Sequence, residues 1–152
     1  MIRLADTQDA HEIGELFLAS RKKHVSFAPL AHSDAEVRDW IRDTVIPGGG
    51  VFVYCERDVI VGFVAISEHD GFSWVDQLYV GPACVGRRYG AFLLSHAKGL
   101  LKPPIRVYTF QQNEGARRFY RREGFRDIHL SDGSLNEEQC PDVLLEWRPK
   151  SA

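Results

Sequence analysis

The chain is short of cysteine, of net charge and of long apolar runs, and each shortage removes a class of protein. Cys55, Cys84 and Cys140 are odd in number and far apart in sequence. They lack the short paired spacing of a zinc site, so neither a disulfide framework nor a structural metal is expected. Nineteen Lys and Arg against 21 Asp and Glu leave a formal net charge of −2, which draws the chain neither toward nucleic acid nor toward an anionic membrane. Charges break every apolar stretch before bilayer-spanning length, and the opening Met1-Ile2-Arg3-Leu4-Ala5-Asp6 has no signal-peptide pattern, so a cytoplasmic protein is expected. No repeat or low-complexity tract is present. No Gly-Lys-Ser/Thr follows a glycine loop, which argues against a P-loop kinase, and no glycine loop follows the first strand, where a dinucleotide-binding oxidoreductase places it.

What is present is ordinary domain material: 152 residues, 44% hydrophobic and 26% charged, enough for one core. Residues 1–149 are expected to form a single domain, with 150–152 as a tail. After a short strand at Ile2 to Ala5, Asp9 to Lys23 carries Ile13, Leu16, Phe17 and Ser20 at helical spacing. Ser33 or Asp34 caps a second helix bearing Val37, Trp40, Ile41 and Val45, and Pro47-Gly48-Gly49-Gly50 is a loop. Val51 to Cys55 and Val59 to Ile66 form a hairpin across Glu56-Arg57-Asp58, and Phe72 to Val80 pairs with its second arm. A helix from about Arg88 to Leu100, a strand at Ile105 to Phe110, a helix from Asn113 to Glu123 and strands near Phe125 to Leu130 and Val143 to Trp147 complete the order. Antiparallel strands therefore give way to a β-α-β-α-β run, an α/β (α+β) pattern with a mixed sheet and helices on both faces.

Two segments carry chemistry. In Leu78 to Leu94 a strand ends at Pro82 and a helix begins several residues later, with Val85, Gly86, Arg87, Arg88, Tyr89, Gly90 and Ala91 at the junction. Free backbone N–H groups and the helix dipole there suit a pyrophosphate. The same residues would also serve as an ordinary strand-to-helix turn with two solvated arginines. Tyr89, Phe92, Leu93, His96, Ala97 and Leu100 are the expected buried face of that helix. In Asn113 to Phe125, Asn113 suits a helix cap and Gly124 a helix end, which alone explains both residues.

Taken together these segments resemble the GNAT N-acetyltransferase superfamily. Its cofactor loop, Gln or Arg followed by two residues of any type, Gly, any residue, and Gly or Ala, falls on Val85 to Gly90; Gly90 matches, whereas Val85 and Arg88 depart. If the Arg88 position needs a positive φ, a non-glycine residue costs roughly 1–2 kcal/mol; with ordinary angles it adds a guanidinium beside the phosphates. The family's second motif, an asparagine, an alanine three residues on, an aromatic-tyrosine pair and Gly-Phe, is filled throughout by Asn113, Ala116, Phe119-Tyr120 and Gly124-Phe125. The resemblance implies a GNAT fold, a mostly antiparallel sheet of about seven strands, and acetyl-CoA as cosubstrate without a metal. Leu78, Tyr79, Val80, the 85–91 loop, Asn113, Ala116, Phe119 and Tyr120 are the implied cofactor contacts. Tyr120 is the implied proton donor to the departing thiolate; the other possibility is a packed core tyrosine.

The resemblance implies direct attack by an amine, with strand N–H groups around Tyr79 and Val80 stabilising the oxyanion. A lysine-type amine of pKa about 10.4 is almost wholly charged at pH 7, a deficit worth roughly 4 kcal/mol, so a base matters. Strand alternation places Asp76 with Trp74 and Leu78, as a base acting through water or as a structural carboxylate; Glu68 is a weaker candidate. Acidic Asp132 to Asp142, with Glu137 and Glu138, and His32 near the second helix are candidate acceptor residues alongside Trp74. Arg21-Lys22-Lys23-His24 is explained by the helix dipole. A small-molecule amine is the expected acceptor and a homodimer is common in such a family; a non-catalytic acetyl-CoA sensor on the same fold is the alternative.

Overall fold

The computed structural model describes residues 1–150; of the expected tail, 151–152 lie outside them. Seven strands form one sheet in the order β1-β2-β3-β4-β5-β7-β6. They are β1 (Ile2–Leu4), β2 (Val51–Glu56), β3 (Val59–His69), β4 (Phe72–Val80), β5 (Ile105–Phe110), β6 (Arg126–Ser131) and β7 (Asp142–Trp147). Every neighbouring pair is antiparallel except β4 and β5. The helices are α1 (Ala10–His24), α2 (Asp34–Trp40), α3 (Tyr89–Leu100) and α4 (Glu114–Arg122), so the expected order stands with ends moved by a few residues.

Local chemistry sets those ends. Arg3 grips Asp9 through two hydrogen bonds of 2.8 and 2.9 Å, tying β1 to the turn that leads into α1. Ser33 and Glu36 form a reciprocal capping box on α2. Asn113 caps α4 by accepting from the Ala116 N–H at 3.1 Å. α2 continues into a wider π turn over Ile41–Val45, which keeps Ile41 and Ile46 in the core.

Strand alternation gives the sheet two apolar faces. Val51, Val53, Phe63 and Ala65 pack under α1 and α2. Val64, Val75, Val107, Val143 and Leu145 pack under α3 and α4 with Leu93, Leu94 and Ala97. Two expected members of the α3 face, Phe92 and Leu100, are instead about half exposed, because Leu94 fills the position that faces the sheet.

Two departures from regular pairing position the site. β4 and β5 share only the pairs Ser73↔Ile105 and Trp74↔Arg106, after which the strands part. Ala65 pairs with Gln77 and Ile66 with Val75, so Asp76 is an extra residue with no cross-strand partner, a β-bulge. The bulge corrects the expected alternation. Leu78 packs on the α3/α4 face, whereas Trp74 lies opposite Ser67 on the other face and stacks on Tyr108.

Candidate active site

Two cavities flank the parted end of β4. The first, about 880 Å³, runs between the loop after β4, the start of α3 and α4. Among the residues expected to hold a cofactor, Leu78, Val80, Val85, Gly86, Arg88, Tyr89, Gly90, Ala91, Asn113, Ala116, Phe119 and Tyr120 line it. Arg87 is exposed outside the lining, and Tyr79 turns its side chain to the opposite face of the sheet. His24, Cys84 and Gly115, none of them expected as cofactor contacts, also line it.

The α3 end of this groove is shaped for an anion. α3 has no side-chain cap, unlike α2 and α4, so its first-turn N–H groups lack the partner a capping residue would supply. Arg88 precedes it at φ 68°, ψ 10°, a left-handed conformation, and so does not keep ordinary angles. A Cβ on Gly90 would meet the Phe119 ring at 3.5 Å, an ordinary contact, so the position takes glycine or alanine but leaves little room for a longer side chain between α3 and α4. Uncapped N–H groups, Arg88 and small residues fit the pyrophosphate of acetyl-CoA.

The second cavity, about 590 Å³, fills the gap between β4 and β5 and reaches the β6–β7 loop. Asp76, Tyr79 and Glu138 line it together with Arg21, Tyr108 and His129. The two cavities share Leu78, Asn113, Ala116 and Tyr120. Gly81 donates its N–H to Val61 at 2.8 Å. By alternation Tyr79 also points its N–H toward β3, so the N–H groups of Leu78 and Val80 face the open edge. Of the N–H groups expected around Tyr79 and Val80 to meet an oxyanion, that of Tyr79 is turned into the ladder, and those left free are the ones of Leu78 and Val80.

Tyr120 is 6% exposed and packs between Phe119 and Phe125. Burial, reinforced by nearby Tyr79, pushes its phenol well above the ordinary tyrosine range. Desolvation raises the Asp76 carboxyl above its usual range, while the Ser67 hydroxyl and His69 pull it partly back. Ser67 Oγ is buried without an aligned hydrogen-bond partner, so its restraint on Asp76 is loose. Asp76 is exposed on the cleft side, where a bulge residue projects free of the ladder.

The other acceptor candidates separate. His32 bonds Glu137 at 3.1 Å across the outside of the cleft, linking the start of α2 to the β6–β7 loop. Neither lines the cleft, nor do Glu68 and Trp74. Asp142 accepts from Ser131 and from Asn136, a structural arrangement. Arg21, explained from the sequence by the helix dipole alone, is 7% exposed and lines the cleft. Its burial was not visible in the sequence because the segments that cover it, Val25 to Ala28 and the β6–β7 loop, are remote or irregular. Among the described residues no three His, Cys, Asp or Glu converge as metal ligands, and no helix is long and apolar enough to cross a membrane.

Comparison with known proteins matches this geometry. The model of the Acetyltransferase (GNAT) family matches residues 13–125. The peptidyl-lysine N-acetyltransferase YiaC of Escherichia coli K12 is 26% identical over 154 residues, covering 97% of this chain and 96% of its own. The solution structure of apo YjaB from Escherichia coli superposes with a TM-score of 0.78 at 25% identity, over 99% of this chain and 98% of that one. The PaiA N-acetyltransferase of Thermoplasma acidophilum, crystallised with coenzyme A, gives 0.77 at 19% identity over 98% of each chain. The sheet order, the parted β4–β5 pair and the matched span across both motifs lead to one conclusion: the chain belongs to the GNAT acetyltransferase family and is an N-acetyltransferase.

Proposed function

We propose that this enzyme transfers the acetyl group of acetyl-CoA to the side-chain amine of a lysine in a peptide or protein. The observation that carries the proposal is the meeting of the two cavities at Leu78, Asn113, Ala116 and Tyr120. Acetyl-CoA takes the α3/α4 groove, and the lysine enters from the β4–β5 cleft. The sequence alone pointed to a small-molecule amine. The near full-length likeness to a peptidyl-lysine enzyme and the rim of the cleft move the acceptor to a peptide. At that rim Tyr108 is 55% and Leu135 fully exposed, apolar surface that an extended acceptor would cover.

In this proposal the chain positions, desolvates and moves protons. Asp76, its carboxyl raised above the usual range by partial desolvation, takes the ammonium proton through water. The freed nitrogen forms the N–C bond while Leu78 and Val80 N–H groups hold the oxyanion. As the C–S bond breaks, Tyr120, which burial keeps protonated, gives its proton to the sulfur.

A free-thiol assay with acetyl-CoA tests this on a panel of a blocked lysine peptide, spermidine and a neutral amino-acid amide. Thiol release with the peptide in excess of the small amines is expected. Faster turnover of spermidine returns the acceptor to a small amine, and calorimetric binding of acetyl-CoA without turnover of any amine supports the sensor alternative.

A further inference from the structure

Arg21 is a buried cation with unused donors. Its side chain is 8% exposed and lines the β4–β5 cleft, with its guanidinium 5.5 Å from the Phe110 ring centroid. Nη2 donates to the Ala28 carbonyl at 3.0 Å. The Glu138 carboxylate stops 3.6 Å from Nη2, and Nε is buried without a partner. Nε and Nη2 form the edge of a guanidinium that takes a carboxylate by two parallel bonds, so here the best-matched edge is half used. The buried Tyr79 phenol also lies against the guanidinium, so the donor still lacking a partner is Nε, and a buried donor left unpaired is costly unless something completes it.

Glu138 is badly placed to complete it alone. The turn that carries it is pinned by Asn136, which donates to the Cys140 carbonyl at 2.7 Å and accepts from the Cys140 N–H at 3.1 Å. The other carboxyl side chains lining the cleft are Asp76 and Asp142, and among the described lining residues Arg21 is the one arginine or lysine. A molecule with an ammonium at one end and a carboxylate at the other would meet opposite charges at both.

We propose that Arg21 is the seat of a carboxylate carried by the acceptor, so that the enzyme selects amines that also bear a carboxylate. The inference rests on the β4–β5 cleft being the acceptor site. The carboxylate has two sources, the α-carboxylate of the lysine itself or an acidic side chain beside it in a peptide. Glu138 then acts as a stand-in that the acceptor displaces.

Two matched pairs separate the sources: Nα-acetyl-lysine against its carboxamide, and a blocked Gly-Glu-Lys-Gly amide against its Gln counterpart. At least a tenfold higher kcat/KM for the carboxylate member of one pair is expected, the scale of one charge-assisted pair. Preference in the first pair assigns the α-carboxylate and in the second the side chain. Arg21→Gln abolishes that preference, and Arg21→Lys keeps part of it. Glu138→Gln, by removing the stand-in, lowers KM for the preferred member and not for its neutral twin. If Arg21→Gln fails to fold, the wild-type pairs and Glu138→Gln still decide. Equal turnover within both pairs in the wild type overturns the carboxylate seat while leaving the cleft as acceptor site. Turnover of spermidine with none of the four lysine compounds overturns both.

Discussion

Tyr120 of α4 and Leu78 of β4 border both cavities, so a buried phenol and a strand backbone stand at the point where groove and cleft meet. β4 offers that edge because its ladder with β5 ends at Trp74↔Arg106. Catalysis in this arrangement is chiefly positioning, with proton donors and acceptors fixed on rigid elements.

Replacing Arg88 by glycine relieves a left-handed residue at φ 68°. The gain of roughly 1–2 kcal/mol is partly offset by the greater freedom of glycine in the unfolded chain. A net rise of about 0.5–1 kcal/mol is expected, read as an increase in Tm of roughly 1–4 °C. Arg88 lines the cofactor groove, so KM for acetyl-CoA should rise a few-fold in the same variant. A fall in Tm would show that Arg88 contributes more to the fold than its conformation costs.

For Asp76 the folded pKa lies above the unfolded value. Its protonated form therefore favours the native state at low pH, and that contribution is lost as pH rises through the folded pKa. At neutral pH Asp76→Asn should melt at or above the wild-type temperature while kcat/KM for a lysine acceptor falls by about 10²-fold. The acidic limb of the wild-type pH-rate profile should disappear with the carboxylate. An unchanged profile in the variant would remove Asp76 as the base.

Asp127 ties α4 to β6. Arg121 and Arg117 converge on its Oδ2 at 2.6 and 3.0 Å, and the Arg121 hydrogen bond above all holds its carboxyl below the usual range. This contribution is present above the ordinary Asp pKa and lost as pH falls through the lowered folded value. Asp127→Asn should lower Tm by about 2–4 °C at pH 7, equivalent to about 1 kcal/mol, and the two proteins should converge in Tm as the pH is lowered. A gap that persists in acid would mean shape rather than charge holds the contact.

Much of this arrangement is legible in the chain because its causes are local. Asn113, Ala116 and Gly124 mark the ends of α4 by capping chemistry, and the alternating runs of β2 to β4 reveal their pairing. The bulge at Asp76 is not legible: an extra residue is defined by which partners face one another across two strands. Alternation alone therefore put Trp74 and Leu78 on one face. Arg21 was read only as a helix-end cation placed by the dipole, and its contacts with Ala28 and Glu138 come from segments that the helix pattern does not reveal. Glu137 and Glu138 are adjacent in sequence yet diverge, one to His32 outside the cleft and one toward Arg21 within it, as neighbours on a turn do.

The central claim is that Tyr120 supplies the proton at the junction of the two cavities, and the kinetics of Tyr120→Phe test it most directly. Removing one oxygen from a residue packed between Phe119 and Phe125 should leave the fold and KM for acetyl-CoA within about twofold of wild type. kcat should fall by 10²-fold or more, on the scale of a lost general acid. An unchanged kcat in a folded, acetyl-CoA-binding variant would contradict the account.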